Sequence, residues 1–186
     1  MTDIETIQRS HDPGGKVRLP MLEGVFGGAY ITQDGQYRHF LWRSWEGKDA
    51  PPKKFWLFIG ANPSTAEAYI DDPTIRKEVA FTRRHDGPGY FKCNVMDFRA
   101  THPEDLLKIS NACSIFNVPN ILKHAENAEK IVVAWGALHK SLQIHADQTL
   151  QALRNKKYDL YCFGKTKDGH PKHTLYLRND TPLEKF

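Results

Sequence analysis

Residues 54–66, KFWLFIGANPSTA, decide the fold class. The five large apolar residues from Phe55 to Ile59 show no alternation, so both faces of this strand should be covered, as in a parallel sheet with helices on either side. Gly60 ends the apolar run and lets the backbone turn. Because ligands bind beyond the carboxyl ends of strands in an open parallel sheet, we expect Asn62, Pro63 and Ser64 at the rim of a pocket.

Length and composition limit the class of protein. A chain of 186 residues with 40% apolar and 11% aromatic residues fits one domain over 1–186. A net charge of +4 permits contact with nucleic acid but does not require it. Three cysteines without a Cys-x-x-Cys pair argue against a disulfide framework and against a cysteine-ligated cluster. Without a long apolar run or an export signal, we expect a soluble, cytoplasmic monomer with no membrane partner and no cofactor.

The order of sequence patterns predicts the architecture. Residues 1–24 suggest a peripheral arm, and 28–45 suggest a β-hairpin around Asp34-Gly35. Within the core, 54–178, apolar strands alternate with helices, one of which begins at Pro73 behind an Asp72 cap and ends near Arg84. The four core strands are 55–59, 90–96, 130–136 and 159–163. We therefore predict an α/β fold: a three-layer α/β/α sandwich with a four-stranded, mainly parallel central sheet, plus an N-terminal β-hairpin.

Polar residues follow the predicted strands and should meet at one edge of the sheet. Asn94 lies inside an apolar strand, where a buried amide must find hydrogen-bond partners. Either a ligand's donor and acceptor edge or a second loop would supply them. Asn62 precedes a proline, which is also a common turn arrangement. Both asparagines therefore have a binding and a structural interpretation.

The loop after the last strand carries two histidines. His170 and His173 would give two metal ligands, but zinc needs three or four, so we expect no metal site. A neutral His170 that donates a hydrogen bond to developing negative charge is the more specific hypothesis. Ser64 lacks the Gly-x-Ser-x-Gly elbow of a nucleophile. Three lysines flank the loop and either follow nucleic-acid phosphates or simply keep the loop solvated: Lys165, Lys167 and Lys172.

The motifs resemble those of known families at two levels. Five segments, 62–66, 71–76, 94–101, 134–136 and 164–171, resemble a family of small bacterial and phage proteins described only as a domain of unknown function. More distantly, the order of elements resembles the uracil-DNA glycosylase superfamily. In that superfamily a strand ends in Gly-x-Asn-Pro or Gly-x-Asp-Pro, a later strand carries an asparagine, and a His-Pro loop follows the last strand. Residues 60–63, GANP, are most similar to the mismatch-specific branch.

The second resemblance implies a uracil-DNA glycosylase-like fold and specific residue roles. Asn62 would position the water that attacks the anomeric carbon of the sugar, and His170 would stabilise negative charge on the departing base. Asn94 would read the edge of a pyrimidine, and Tyr69 or Phe98 would stack on the flipped base. The implied substrate-binding set is Gly60, Ala61, Pro63, Ser64, Tyr69, Asn94, Asp97, Phe98 and His173. Residues 170–176 depart from the His-Pro-Ser-Pro-Leu-Ser wedge of the superfamily.

Three functions therefore follow from the sequence. The leading hypothesis is an N-glycosylase that hydrolyses the glycosidic bond of a modified or mismatched pyrimidine in DNA or another nucleobase-containing substrate. The alternative is a nucleobase or nucleic-acid binding module without catalysis. A third hypothesis is a metal-dependent hydrolase built on His170, His173 and an acidic residue.

Overall fold

A computed structural model describes residues 17–47 and 49–186. Within these ranges the chain forms nine strands, three α-helices and three short 3₁₀ helices. The strands are β1 (Leu19–Pro20), β2 (Phe26–Ile31), β3 (Arg38–Ser44), β4 (Trp56–Gly60), β5 (Ile70–Asp71), β6 (Gly89–Asn94), β7 (Lys130–Val133), β8 (Leu160–Cys162) and β9 (Glu184–Lys185). The α-helices are α1 (Pro73–Arg84), α2 (Asn117–Ala125) and α3 (Gln143–Asn155), and the 3₁₀ helices are Pro103–Lys108, Lys140–Leu142 and Thr174–Tyr176.

Seven of these strands form one mixed sheet in the order β2-β3-β6-β4-β7-β8-β9. Strands β6, β4, β7 and β8 run parallel to one another, whereas β2, β3 and β9 are antiparallel to their neighbours. Strands β1 and β5 pair separately as a small antiparallel ribbon. Residues 1–16 of the predicted peripheral arm lie outside the described residues.

The prediction of a four-stranded, mainly parallel sheet in a three-layer, glycosylase-like sandwich is wrong. Strands β2 and β3 do pair around the Asp34-Gly35 turn, but β3 also pairs with β6, with Leu41 opposite Lys92. The hairpin is thus part of the main sheet and not an appendage. At the opposite edge, β9 pairs with β8. These additions give a seven-stranded mixed sheet because both edges of the parallel strands accept an antiparallel neighbour.

Strand β4 is buried on both faces, which explains its continuous apolar sequence. Trp56 and Phe58 pack with Ile75 and Val79 of α1 on one face of the sheet. The alternate residues of β4 point to the opposite face, where they join the core beneath α2 and α3. Every residue of β4 is buried. The strand therefore lies at the centre of two apolar cores.

Helix α1 has the bounds that the sequence predicts. The side chain of Asp72 accepts a hydrogen bond from the backbone nitrogen of Ile75 at 2.9 Å, and Pro73 occupies the first helical position. Both features stabilise a helix start. The helix therefore begins directly beside the carboxyl end of the sheet. Within the described part of the chain, no helix is long and apolar enough to cross a membrane.

Truncating Phe58 should test the central position of β4. Its ring is fully buried and lies 5.4 Å from the Tyr90 ring and 6.4 Å from the Phe163 ring, centroid to centroid. We expect Phe58→Ala to lower the free energy of unfolding by about 3–5 kcal/mol, because it leaves a cavity that neighbouring strands cannot fill. Urea denaturation measures the loss. Ile115→Ala, at a side chain that is 84% exposed, is the control and should change stability by less than about 0.5 kcal/mol; similar losses for both variants would contradict the described core.

Candidate functional site

The topology places a crevice at the carboxyl end of β4. The chain leaves β4 toward β6 on one side and later continues to β7 on the other side. The direction of strand addition therefore reverses at β4, and open α/β sheets bind ligands outside the strands at such a reversal. A cleft of about 1150 Å³ opens there. This volume is sufficient for a nucleotide-sized ligand, since ligand pockets usually measure roughly 300–1,000 Å³.

The cleft brings together part of the predicted site. The predicted residues that line it are Gly60, Ala61, Asn62, Ser64, Asn94, Lys172 and His173. The predicted residues that do not line it are Pro63, Tyr69, Asp97, Phe98, Lys165, Lys167 and His170. The two asparagines thus share one cleft, and of the two predicted histidines it is His173 that lines it.

Asn62 is held by its amide nitrogen. The Nδ2 atom donates to the carbonyl oxygens of Ala100, at 2.7 Å, and Pro63, at 3.0 Å. Two carbonyl acceptors determine which end of the amide is nitrogen. The Oδ1 atom has no donor among the described residues, so it is the hydrogen-bonding group that this side chain can offer to a ligand. Asn62 therefore joins the loops that follow β4 and β6 and also supplies an acceptor.

Asn94 has the opposite arrangement. It is 2% exposed, and its Oδ1 atom accepts a hydrogen bond from Nη2 of Arg38 at 3.2 Å. Its Nδ2 atom has no acceptor among the described residues. Asn94 lines the cleft, so this N–H group can donate a hydrogen bond to a ligand acceptor there. Asn94 therefore supplies a donor to the cleft.

A buried ion pair lies beside Asn94. Lys92, two residues earlier on β6 and on the same face, contacts Oε1 of Glu78 through its Nζ atom. Glu78 is fully buried on α1, and its Oε1 atom also accepts from the Thr174 hydroxyl at 3.3 Å. Burial raises the pKa of Glu78, whereas the charge of Lys92 opposes that rise. Lys92 therefore places a positive charge at the floor of the cleft.

Sequence reasoning missed Arg38, Lys92 and Glu78. Lys92 stands in the apolar sequence of β6, and Glu78 shares the buried face of α1 with Ile75 and Val79. Charged residues at core positions rarely occur without a partner or a function. A charged residue at a core position was therefore the sequence pattern that could have identified Lys92 and Glu78. Arg38 carried no such signal, because it begins a strand after a polar turn.

His173, unlike His170, lines the cleft. Its Nδ1 atom accepts from the backbone nitrogen of Leu175 at 3.3 Å, so a neutral ring carries its proton on Nε2. Burial and, to a smaller extent, the charge of Lys92 lower the pKa of His173 to about 4, while Asp72 opposes the shift. The ring is therefore a neutral donor at pH 7. His170 instead lies in the preceding turn, where its backbone nitrogen donates to the Thr166 hydroxyl at 3.1 Å.

The remaining predicted residues have other surroundings. Asp97 is buried and accepts from His39 at 2.9 Å and from the backbone nitrogen of Ser114 at 2.7 Å. Phe98 is 7% exposed within the core, whereas Tyr69 is 64% exposed. The exposed aromatic side chain that does line the cleft is Tyr176, whose ring centroid lies 5.7 Å from that of His173.

No metal-binding group is formed by the described residues. Among residues 17–47 and 49–186, no three His, Cys, Asp or Glu side chains are grouped so that they could hold a metal ion. The third functional hypothesis, which combines His170, His173 and an acidic residue, therefore gains no support from the geometry.

Gly60 should be necessary for the polar floor of the cleft. A Cβ atom there would lie 2.6 Å from Nζ of Lys92 and 3.0 Å from Nδ2 of Asn94. We expect Gly60→Ala to lower the free energy of unfolding by about 1–3 kcal/mol, because Lys92 must move away from Glu78. A double-mutant cycle with Lys92→Ala, measured by urea denaturation, should show that the cost of Gly60→Ala shrinks when the amine is removed. Additive effects would show that the two positions do not compete for space.

The buried His173 should make stability fall in acid. Its pKa of about 4 in the folded protein lies below the usual value for histidine, so the unfolded chain binds the proton more readily. Stability is then complete above about pH 6.5 and falls as the pH drops toward 4, by up to roughly 3 kcal/mol. His173→Asn, which keeps an acceptor for Leu175, should flatten the pH dependence in urea denaturation. His102→Asn, at a side chain that is 68% exposed, is the matched control and should leave it unchanged; an unaltered slope in His173→Asn would contradict the assignment.

Comparison with known proteins identifies a family. A family model described as "Protein of unknown function (DUF1643)" matches residues 38–175, from the start of β3 into the 3₁₀ helix Thr174–Tyr176. The match confirms the resemblance to a domain-of-unknown-function family, and its span includes Arg38, Asn62, Asn94 and His173. No curated protein and no solved structure matches the chain. The chain belongs to the family of proteins of unknown function DUF1643.

Proposed function

We propose that the cleft binds a pyrimidine base of a nucleic acid and that the protein hydrolyses the N-glycosidic bond of that base. The observation that carries the proposal is the pairing of two asparagines with opposite free groups in one cleft. Asn62 offers the acceptor Oδ1, and Asn94 offers the donor Nδ2. The resemblance of their motifs to the uracil-DNA glycosylase superfamily supports the same roles.

The role of Asn62 is to position a water molecule. Its amide is fixed by Ala100 and Pro63, so the Oδ1 atom is held in place before the substrate binds. A water that donates to this oxygen attacks the anomeric carbon, the carbon–nitrogen bond breaks, and its electron pair leaves with the base. The proton of the water passes to solvent. Such preorganisation lowers the barrier without a cofactor.

The departing base needs a hydrogen-bond donor, because negative charge develops on it. Asn94 Nδ2 supplies one donor to a carbonyl oxygen of the base. The neutral ring of His173 supplies another through Nε2, and it takes the role that the resemblance implies for His170. Donors fixed in a partly dehydrated cleft stabilise developing charge more strongly than water does.

A binding module without catalysis is the second candidate. It is favoured by the position of His170, which does not line the cleft, and by the hydrogen bonds that Asn62 makes to two loops. An asparagine that joins loops has a structural role whether or not water is activated. On this interpretation the cleft recognises a nucleobase, and no bond is broken.

Release of free base distinguishes the two candidates. We expect the protein to release base from at least one member of a panel of single-stranded and duplex oligonucleotides that carry uracil, mismatched thymine or modified pyrimidines. Asn62→Ala should lower the rate by about 100-fold or more, because the positioned acceptor is lost. Chromatography of the released base measures the rate.

The control is Asn127→Ala, which changes an exposed asparagine outside the cleft and should leave the rate unchanged. No release from any member of the panel would exclude hydrolysis of these substrates. An increase in melting temperature with the same oligonucleotides, without release, would then favour the binding module.

A further inference from the structure

Arg38 is a buried cation without a carboxylate partner. It is 2% exposed, and it donates from Nη1 to the carbonyl oxygen of Ala66 at 2.9 Å and from Nη2 to Oδ1 of Asn94 at 3.2 Å. Its Nε atom is buried and has no hydrogen-bond partner. Among the described residues, no carboxylate oxygen lies within 4.0 Å of its guanidinium nitrogens. Both of its acceptors are therefore neutral.

The other buried arginine and lysine side chains of the described residues each contact a carboxylate. Arg43 contacts Asp71 at 2.8 Å, and Lys92 contacts Glu78. Arg99 contacts Glu67 at 2.8 Å. A buried charge without a counter-charge destabilises a folded protein, and native structures normally avoid it. Among the described residues, Arg38 is thus the exception: it is a buried arginine that contacts no carboxylate.

The charged residues near Arg38 do not replace a carboxylate in direct contact with its guanidinium. Burial is the main reason that the pKa of Arg38 is lowered to about 10; Arg99 and Arg43 add to the shift, whereas Asp72 and Glu78 oppose it. The guanidinium therefore stays charged at neutral pH. Asp72 acts only through space, because its carboxylate caps helix α1 at Ile75. Among the described residues, no carboxylate in direct contact balances the positive charge of Arg38, so a bound anion would be stabilised beside it.

Arg38 lines the cleft beside two further donors. Lys92 and Asn94 also line it, and the missing side chain of Gly60 gives both of them room. We propose that Arg38 and Lys92, at this corner beside Asn94, bind an oxyanion of the phosphate type that belongs to the ligand. Guanidinium, ammonium and amide N–H groups are the side-chain donors that proteins use for phosphate oxygens.

The anion site rests on the proposed function in one respect, because it lies in the same cleft as the proposed base site. Binding of the anion does not require that the glycosidic bond is hydrolysed. Two ligands carry this chemistry: the terminal phosphate of a free nucleotide and the phosphodiester of a nucleic-acid strand. Either would place a base next to Asn62 and Asn94. The ligand that fits both proposals is therefore a phosphorylated nucleoside.

Thermal unfolding with inorganic phosphate tests the site. Sodium phosphate should raise the melting temperature saturably by about 3–8 °C over sodium chloride at equal ionic strength, because it binds only the folded state. Arg38→Met should abolish this phosphate-specific increase. Lys156→Met, at an exposed lysine beyond α3, is the matched control and should retain it.

Asn94→Asp separates loss of the site from loss of the fold. The new carboxylate would lie 3.2 Å from Nη2 of Arg38 and would neutralise it within the chain. We expect a higher melting temperature without phosphate and no further increase when phosphate is added. A wild-type protein without a phosphate-specific increase, or an Asn94→Asp protein that keeps it, would overturn the proposal.

The same thermal-unfolding assay distinguishes whether the phosphate belongs to a free nucleotide or to a nucleic-acid strand. Deoxyuridine monophosphate and a short single-stranded oligonucleotide are compared with deoxyuridine. A larger increase with the monophosphate than with deoxyuridine supports a free nucleotide, and an increase confined to the oligonucleotide supports a strand. No increase with either phosphorylated ligand overturns the anion site. A protein that shows the phosphate response but releases no base keeps the anion site and loses only the proposed hydrolysis.

Discussion

The lack of a side chain at Gly60 is the constraint on which the cleft depends. Gly60 ends the central strand β4, and its neighbour β6 carries Lys92 and Asn94 toward the same space. Any Cβ atom at position 60 would displace the ends of these two side chains. A polar floor can therefore form between two strands that are otherwise apolar, at the end of the sheet where ligands bind.

Each polar group of this floor is positioned by a different element. Strand β3 brings Arg38 to Asn94, helix α1 brings Glu78 to Lys92, and the 3₁₀ helix Thr174–Tyr176 adds the Thr174 hydroxyl. These contacts join segments that are far apart in the chain. The pairing of β3 with β6 in the seven-stranded sheet thus brings Arg38 to the polar floor of the cleft.

Local sequence patterns predicted the elements better than their pairing. The apolar run from Phe55 to Ile59 identified a strand with two buried faces, and Asp72 with Pro73 located the start of α1. The pairing of β3 with β6 could not be predicted, since the register between distant strands leaves no local pattern. Strand β9 was missed because its two exposed residues, Glu184 and Lys185, show neither alternation nor apolar character.

The same distinction applies to the site. Asn62 and Asn94 could be placed together from the rule that parallel strands end at one edge. The choice between His170 and His173 could not be made, because it depends on how the loop folds. Lys165 bridges to Pro171, which holds His170 in a turn and directs His173 to Gly136. The partners of Lys92 and Arg38 likewise follow from tertiary packing.

The central claim is that Asn62, Asn94 and Arg38 receive one phosphorylated pyrimidine nucleoside. Crystal structures of the protein soaked with deoxyuridine monophosphate and with a short single-stranded oligonucleotide that contains deoxyuridine test it most directly. In at least one of them we expect the base within hydrogen-bond distance of Asn94 Nδ2 and a phosphate oxygen beside Arg38 or Lys92. A cleft filled only by solvent with both ligands at saturating concentration would contradict the claim.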